Sequence, residues 1–358
     1  MNPRHTAPRV ALGRPARRLG KHKDRLLTLI DEFAGIRVAV FGDLIVDEFI
    51  YGEIARVSRE APVLILDYDS TDIVPGGAGN AAGNVAALGG APVVIGVAGR
   101  DEAGKRLLQV MRRRVDIAGV ARPRGYRTPT KTRILAGGVH SAKQQVVRID
   151  RATRPELADG DRRTIESHLV HAAARCEALL VSDYGTGLVT PEAVAHARRR
   201  FKSPGRRQPP ILVDSRYNLL EYRGMSACTP NESEVEHLFR IRIGDDIAAL
   251  EKAGRELLAR TGAAGVLITR GSRGMALFEP DRRTVHIPIF GSDQIADVTG
   301  AGDTVIAAMT LALSAGGTLE DAAHLANYAG GLVVMKRGTA TVSADELRHA
   351  VIADDSAT

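Results

Sequence analysis

The sequence contains no tryptophan, and only two of its 358 residues are cysteines, Cys176 and Cys228. Two cysteines cannot build the disulfide framework of a secreted protein or a cysteine-based metal site, so the sequence predicts a cytoplasmic protein. Long apolar runs are also absent, since stretches such as Gly89 to Gly99 and Val305 to Ala315 fall short of the roughly 20 residues that a membrane-spanning helix needs. We therefore expect no membrane partner.

Acidic residues are almost missing from residues 1–25, which contain eight lysines and arginines but one aspartate. This segment accounts for the whole net charge of +7, because the rest of the chain carries 41 basic and 41 acidic residues. The remainder is neutral, so no nucleic-acid partner is predicted. The segment has three prolines and no apolar core of a secretion signal, so we predict a disordered basic arm over 1–25. Residues 351–358 are predicted to be a tail.

Between residues 26 and 350, short runs rich in Val, Ile and Leu alternate with helical patterns. Runs such as Arg37 to Phe41 and Ala178 to Ser182 are typical of strands that are buried on both faces. The alternation predicts one α/β domain in three layers, α/β/α, with a mostly parallel central sheet.

Two regions break this alternation, at about 49–70 and 125–150. Each contains a pair of strand-like runs that mix polar and apolar residues, with no helix between them. This pattern predicts a small antiparallel sheet outside the main fold, built from two insertions. Such a one-sided sheet could serve as a lid or as a dimer surface.

The segment from Asp297 to Asp303 carries the strongest chemical signal. Three small residues, Gly300 to Gly302, precede an apolar helical run, and small residues at a helix N-terminus let backbone N–H groups form a concave site for an anion. A carboxylate beside such a site can accept a proton from a hydroxyl whose oxygen attacks phosphorus. We therefore predict that Asp303 is a general base and that the amides of Gly300, Ala301 and Gly302 form an anion hole.

A second glycine-rich signature runs from Gly76 through Asn80 to Asn84. With both signatures in this order, the chain resembles the PfkB/ribokinase family of sugar kinases from about residue 37 to 350. The resemblance implies a ribokinase-like fold, ATP and Mg²⁺ as cofactors, and the base role of Asp303. It also implies that the sugar is bound by Asp47, Gly76, Gly77, Asn80 and Asn84.

The same resemblance implies where the nucleotide and the metal ions lie. Glu234 is expected to hold Mg²⁺ through water, since Mg²⁺ dehydrates reluctantly and is usually shared between carboxylates and phosphates. A K⁺ ion is expected near Asp297 and Thr299. The residues that correspond to ATP contacts are Asn231, Glu232, Ser233, Glu234, Thr269, Gly271 and Asn327.

The predicted lid points to a particular sugar. Tyr51 to Val63 and Lys131 to Asp150 resemble the lid of bacterial heptose 7-phosphate kinases, which phosphorylate O1 of D-glycero-β-D-manno-heptose 7-phosphate in ADP-heptose biosynthesis. A phosphorylated sugar needs cationic donors, and guanidinium groups bind phosphate oxygens in pairs. Arg59 and the Asp214-Ser-Arg segment differ from those enzymes, so ribose, fructose and fructose 6-phosphate stay alternative acceptors. The predicted lid cations are Arg56, Lys131, Arg133 and Arg148.

Three further expectations concern the class and the assembly of the protein. Gly77-x-Gly79-x-x-Ala82 matches a dinucleotide-binding fingerprint with Asp101 about 20 residues later, so an NAD(P)-dependent oxidoreductase is the alternative from a different class. A catalytically silent sugar or polyanion binder is a third possibility. The sequence has no His-x-Gly-His nucleotidyltransferase signature, so we expect a free-standing kinase. The resemblance also implies a homodimer that forms through the lid.

Overall fold

The computed structural model describes residues 16–137, 143–151, 157–201, 208–291, 298–336 and 338–354. Within these residues the chain forms thirteen strands and ten α-helices. In chain order the strands are β1 (Arg37–Gly42), β2 (Leu44–Val57), β3 (Leu64–Gly77), β4 (Ala91–Val97), β5 (Asp116–Ala121), β6 (Thr130–Gly137), β7 (Gln144–Arg151), β8 (Ala178–Asp183), β9 (Ile211–Ser215), β10 (Ala227–Cys228), β11 (Gly265–Thr269), β12 (Met275–Phe278) and β13 (Val285–Ile287). The helices are α1 (Ala16–Asp31), α2 (Ala78–Ala87), α3 (Glu102–Met111), α4 (Asp159–Ala173), α5 (Pro191–Arg200), α6 (Glu232–Phe239), α7 (Ile247–Thr261), α8 (Ala301–Ser314), α9 (Leu319–Val334) and α10 (Ala344–Ala353).

The central sheet has nine described strands in the order β13-β12-β11-β10-β9-β8-β1-β4-β5. Its pairs are parallel except β11–β12 and β12–β13, which are antiparallel. Strand β1 lies inside the sheet, where Val38 and Val40 pack into one hydrophobic core and Ala39 and Phe41 into another. Because side chains alternate along a strand, this division shows helices on both faces. The predicted three-layer arrangement with a mostly parallel sheet is confirmed.

A second sheet contains β2, β3, β6 and β7 in the order β3-β2-β6-β7, and we call it the lid sheet. Its two outer pairs are antiparallel, as predicted, but β2 and β6 run parallel, so the two insertions are joined by a parallel pairing at the centre. The strands are also longer than the predicted insertions. Strand β2 begins at Leu44, which is buried, so the lid sheet is directly continuous with the main fold.

The first described helix, α1, overlaps the segment predicted to be disordered. It begins at Ala16, and Leu26, Leu29 and Ile30 are buried on one of its faces, at the spacing of an amphipathic helix. The Arg25 Nε atom donates to Asp321 Oδ2 at 2.7 Å. The prediction of a disordered arm is therefore wrong for residues 16–25, which belong to this helix, and residues 1–15 lie outside the described residues.

The predicted tail is also shorter than expected, because α10 continues to Ala353 and Val351 is fully buried. In the described part of the chain, no helix combines the length and the apolar character that crossing a membrane requires.

Candidate active site

The site is built around the N-terminus of α8, in which every residue from Asp303 to Ala312 is buried. Gly300 caps this helix with φ of 80°, in the left-handed region that favours glycine. A Cβ atom at this position would also lie 2.5 Å from Asn80 Nδ2. Gly300 is therefore required both by its backbone conformation and by the close approach of α2.

Asp303 lies in the first turn of α8 and is only 3% exposed. The Asn80 Nδ2 atom donates to Asp303 Oδ2 at 2.8 Å, and the Tyr184 hydroxyl lies 3.4 Å from Oδ1. Burial raises the pKa of Asp303 to about 7, and the negative charge of Asp47 adds to the rise, although the Asn80 hydrogen bond opposes it. This carboxyl can therefore gain and lose a proton near neutral pH, as a general base must.

One of the backbone N–H groups of the predicted anion hole already donates a hydrogen bond within the protein. The N–H of Ala301 donates to the Val298 carbonyl oxygen at 3.2 Å, so the structure removes this amide from the predicted hole. Gly302 is the next residue of the first turn, where N–H groups have no acceptor within the helix. A Cβ atom on Gly302 would lie 3.8 Å from Asp214 Oδ2, so its backbone faces open space near that carboxylate. An anion here would also meet the positive end of the helix dipole.

Asp47, which is predicted to bind the sugar, lies on β2 and is 6% exposed. The Arg133 Nη1 atom donates to Asp47 Oδ1 at 2.5 Å. A Cβ atom on Gly76 would lie 2.2 Å from Asp47 Oδ2, and one on Gly77 would lie 2.4 Å from the Asp43 carbonyl oxygen. The two predicted glycines therefore allow the end of β3 to pack against β2 beside this carboxylate.

Three of the four predicted lid cations lie near Asp47. Lys131 is its direct neighbour across the β2–β6 pair, and Arg133 is opposite Arg148 across the β6–β7 pair. Burial lowers the pKa of Lys131, and nearby arginines lower it further, while the Asp47 charge opposes this shift. Arg148 is more exposed and forms two hydrogen bonds of 2.7 Å with Asp150. Arg133 and Arg148 are paired with Asp47 and Asp150, whereas Lys131 has no salt bridge among the described residues and is the cation best placed to meet an anionic ligand.

Arg56 is not brought to this cluster. It is exposed and lies nine residues beyond Asp47 along β2. At about 3.3 Å per residue, this separation corresponds to roughly 30 Å along the strand, although two bulges shorten it. The structure therefore does not bring Arg56 together with the other three predicted lid cations, because the lid strands are much longer than the sequence pattern indicated.

Asn84 is also not where the prediction put it. Its side chain is fully buried, and its Nδ2 atom donates to the Asn80 carbonyl oxygen at 3.0 Å and to Asn80 Oδ1 at 3.2 Å. Its Oδ1 atom accepts from the Thr304 hydroxyl at 2.9 Å. The prediction that Asn84 binds the sugar is wrong, because both ends of its amide are occupied by protein groups behind Asn80.

A cleft of about 700 Å³ opens beside Asp303. Met275, Ile289, Val305 and Val334 provide an apolar part of its wall, suited to a purine ring. The Asn327 Nδ2 atom, in α9, donates to the Pro288 carbonyl oxygen at 2.9 Å and fixes this wall. The cleft is lined by all the predicted nucleotide residues, namely Asn231, Glu232, Ser233, Glu234, Thr269, Gly271 and Asn327, and by Gly300 to Asp303.

Some of these residues also stabilise the fold, through a helix cap and through salt bridges. Asn231 and Glu234 form a reciprocal capping box at the N-terminus of α6, each accepting from the other's backbone N–H at 2.9 Å. Glu232 forms salt bridges with Arg270 and Arg273. Its carboxylate is therefore committed to holding the wall of the cleft together, and a direct contact with ATP would need these bonds to break.

Three residues of the site were not assigned a role from the sequence: Tyr184, Asp214 and Arg216. They lie at or just after the carboxyl ends of β8 and β9, where parallel sheets place ligands, and this position is the signal that could have identified them. The Tyr184 ring is flanked by Lys131 Nζ, 5.0 Å from the ring centroid, and by the Arg216 guanidinium at 6.0 Å. Tyr184 thus connects the lid sheet with the cleft.

The carboxylates of Asp214 and Glu234 are the acidic groups relevant to the predicted Mg²⁺ site. Burial raises the pKa of both, and the charges of Glu234 and Asp303 raise that of Asp214 further. A cation placed between these groups would relieve the repulsion. Among the described residues, no group of three or more His, Cys, Asp or Glu side chains is close enough to hold a metal ion alone. The residues therefore fit an ion that is held largely by phosphates and water.

The context required for a dinucleotide-binding fingerprint is absent from the described chain. Such a motif must follow a strand of the parallel sheet, whereas Gly77 ends β3, a strand of the lid sheet. Asp101 accepts hydrogen bonds from the N–H groups of Gly104 and Thr128, and so holds a loop in place. This geometry argues against the oxidoreductase alternative.

Comparisons with known proteins agree with the geometry. The sequence model of the pfkB family of carbohydrate kinases matches residues 37–346. The "Bifunctional protein HldE" of Geobacter metallireducens is 41% identical over 314 residues, which cover 87% of this chain and 62% of that protein. The protein of the same name from Geobacter sulfurreducens is 39% identical over 326 residues, covering 89% and 64%. This chain therefore spans less than two thirds of the length of these relatives.

Solved structures share the fold at lower identity. Ribokinase of Arabidopsis thaliana, complexed with ribose and ATP, superposes with a TM-score of 0.66 and 18% identity, covering 89% of this chain and 99% of that one. Phosphofructokinase-2 of Escherichia coli, in complex with potassium, superposes with a TM-score of 0.68 and 19% identity, covering 89% and 98%. The predicted ribokinase-like fold is confirmed.

Proposed function

The chain belongs to the pfkB family of carbohydrate kinases, and we propose that it phosphorylates D-glycero-β-D-manno-heptose 7-phosphate at O1 with ATP, giving the 1,7-bisphosphate for ADP-heptose biosynthesis. The observation that carries this proposal is the position of Asp303. Its carboxyl lines the nucleotide cleft on one side and interacts with Asp47 and Lys131 of the lid sheet on the other. A base at this position can accept a proton from a sugar hydroxyl and lies next to the phosphates of a nucleotide in the cleft.

The choice of a phosphorylated sugar is supported by the cations around Asp47. Lys131, Arg133, Arg148 and Arg216 lie close enough for the three arginines to lower the pKa of the lysine. Neutral sugars do not need so many positive charges, whereas a phosphate monoester does. The lid resemblance and the HldE relatives support the heptose over fructose 6-phosphate, which has the same charge.

The reaction follows from these positions. The hydroxyl proton passes to Asp303 while the hydroxyl oxygen forms a bond to the γ-phosphorus of ATP. The bond from that phosphorus to the bridging oxygen breaks, and ADP leaves. The N-terminus of α8, with the Gly302 amide, faces the charge on the transferred group. Asp47 positions the sugar hydroxyls, and the lid sheet excludes water that would otherwise accept the phosphoryl group.

Two metal ions complete the proposal. Mg²⁺, when bound, neutralises phosphate charge, and Asp214 and Glu234 are the residues that would hold it, through water. K⁺ would be held near Thr299. The other predicted ligand, Asp297, lies outside the described residues. Close by, the Thr339 Oγ1 atom is buried with no hydrogen-bond partner in the described structure, so an oxygen ligand is available there.

We further propose that the protein is a cytoplasmic homodimer that pairs through the lid sheet. The lid sheet exposes an unusual number of apolar side chains, and a second lid sheet could cover them. These residues are Ile54, Val57, Val63, Leu64, Tyr68, Val146, Val147 and Ile149.

The test is ADP release measured over a panel of acceptors: heptose 7-phosphate, fructose 6-phosphate, fructose and ribose. We expect kcat/KM for heptose 7-phosphate to exceed that for fructose and for ribose by about 100-fold or more, the equivalent of one well-formed charged contact or more, and to exceed that for fructose 6-phosphate as well. Higher activity on ribose or fructose would contradict the assignment of a phosphorylated acceptor. Binding of sugars without ADP release would contradict the kinase itself.

A further inference from the structure

A buried chain of polar side chains leads from the core of α8 to Asp303. The Thr304 hydroxyl donates to Asn84 Oδ1 at 2.9 Å, and Asn84 Nδ2 donates to Asn80 Oδ1 at 3.2 Å. Asn80 Nδ2 then donates to Asp303 Oδ2 at 2.8 Å and lies 3.4 Å from the Gly300 carbonyl oxygen. Thr304 and Asn84 are fully buried and Asn80 is 4% exposed, so water does not compete with these bonds.

The direction of the bonds in this chain is determined by the Asn80 main-chain carbonyl oxygen, which can only accept. Asn84 Nδ2 donates to this oxygen at 3.0 Å, so the nitrogen of Asn84 points at Asn80 and its Oδ1 accepts from the Thr304 hydroxyl. Asn84 Nδ2 in turn occupies the oxygen of Asn80, which leaves only N–H groups on the side of Asn80 that faces Asp303. A side-chain amide that was free to turn could instead offer its oxygen to a protonated carboxyl.

We propose that Thr304 and Asn84 are positioning residues for the base, because they hold Asn80 in the orientation that can only donate to Asp303. An amide held in this way stabilises the ionised carboxylate more than the protonated acid, because it can donate to the carboxyl but cannot accept the acid's proton in a hydrogen bond. The chain of bonds therefore keeps a deeply buried carboxylate available to accept a proton. This inference rests on the proposed role of Asp303 as the base.

Other charged groups also act on Asp303, and none of them belongs to the chain of bonds. Asp47 of β2 raises its pKa and Lys131 of β6 lowers it, while the Tyr184 hydroxyl, after β8, donates to it. Asp214 of β9 repels the charge of Asp303. Because these groups stay in place when Asn84 or Thr304 is replaced, a change in the pH profile reports on the orientation of Asn80.

The experiment replaces the two positioning residues in the full chain and measures kcat/KM against pH. We expect Asn84→Leu to move the acid limb upward by about one pH unit, with about fivefold lower kcat/KM at pH 7 and recovery above pH 9. Thr304→Val should move the limb in the same direction by less, and Thr304→Ser, which keeps the hydroxyl, should restore it. Thr310→Val is the matched control, since the hydroxyl of this buried threonine of α8 donates to the Ile306 carbonyl oxygen, within the same helix.

The same variants are examined by following the carboxyl-carbon NMR signal of Asp303, assigned with Asp303→Asn, through a pH titration. A raised midpoint in Asn84→Leu and Thr304→Val, and an unchanged one in Thr310→Val, supports the proposal. A lower kcat with an unmoved acid limb and an unmoved titration overturns it, leaving the two residues as packing only. If Asp303→Asn retained turnover, the base would be wrong, yet the NMR titration would still decide whether these residues orient Asn80.

Discussion

The chemistry of the site depends on how one carboxyl is surrounded. An aspartate in water has a pKa of about 3.9 and is a poor base for an alcohol. In this protein, burial at the start of α8 raises the pKa of Asp303 to about 7. The same burial removes the carboxylate from water, and Asn80 and Tyr184 take the place of water as hydrogen-bond donors to it. The residue is therefore more basic than an exposed aspartate and still ionised in part at neutral pH.

At this scale we predict that Asp303→Asn lowers kcat by about 1,000-fold, within the range expected for loss of a general base. In the wild-type enzyme, kcat/KM should fall as the pH drops below about 7, because protonation removes the base. Calorimetric ATP affinity and the melting temperature should stay nearly unchanged, since the replacement has the same shape. Asp345→Asn, at an exposed position of α10, is the control. Turnover at the wild-type rate in Asp303→Asn would rule out the base assignment.

At the scale of elements, the lid sheet brings residues of three strands into two rows. Asp47 of β2, Lys131 of β6 and Asp150 of β7 are direct neighbours across the strands. Two residues further on, Arg133 lies between Phe49 and Arg148. The parallel pairing of β2 with β6 produces this register, and it places Lys131, a partly buried cation of the lid sheet, against the Tyr184 ring of the main fold.

We predict that Lys131→Met raises KM for the sugar phosphate by about tenfold or more, as expected when a charged hydrogen bond to phosphate is lost. KM for ATP should change little. Lys143→Met is a matched control on the same sheet, because Lys143 pairs with Asp69 and packs over Tyr51, away from the cleft. Steady-state kinetics of both variants measure KM for the sugar phosphate and KM for ATP. An equal rise of these two KM values in Lys131→Met would contradict a role for Lys131 in binding the sugar phosphate.

At the scale of the whole molecule, α1 precedes residues 37–346, which match the pfkB family, and it is an additional helix packed on that domain. It packs against α10, and its Arg25 pairs with Asp321 at the start of α9. Leu26, on its buried face, is 1% exposed. None of these residues lines the cleft, so we expect α1 to contribute to stability.

We predict that Leu26→Ala lowers the free energy of unfolding by about 3 kcal/mol, the usual cost of emptying a buried leucine site. Thr28→Ala, at an exposed position of the same helix, should change it by less than about 0.5 kcal/mol. Urea denaturation measures both values. Activity at 25 °C should be the same in both variants, and a raised KM for either substrate in Leu26→Ala would show that α1 acts on the site.

What the sequence determined by itself is local. The apolar runs predict the buried strands, because that pattern depends on neighbours in the chain, and the glycines at 76, 77 and 300 mark positions where the fold brings another residue close. The predicted nucleotide residues line one cleft for a related reason, since the ends of parallel strands meet at one edge of a sheet.

Only the tertiary structure decided which side chains meet across the fold. Asn80 and Asp303 are 223 residues apart in the chain, and nothing in the local pattern of either showed that Asn84 would lie behind Asn80 while Arg56 lay far from Asp47. The docking of α1 and the parallel pairing of β2 with β6 are likewise long-range contacts. Burial and hydrogen-bond direction, which set the pKa of Asp303, arise from these contacts, and they exist only once the chain has folded.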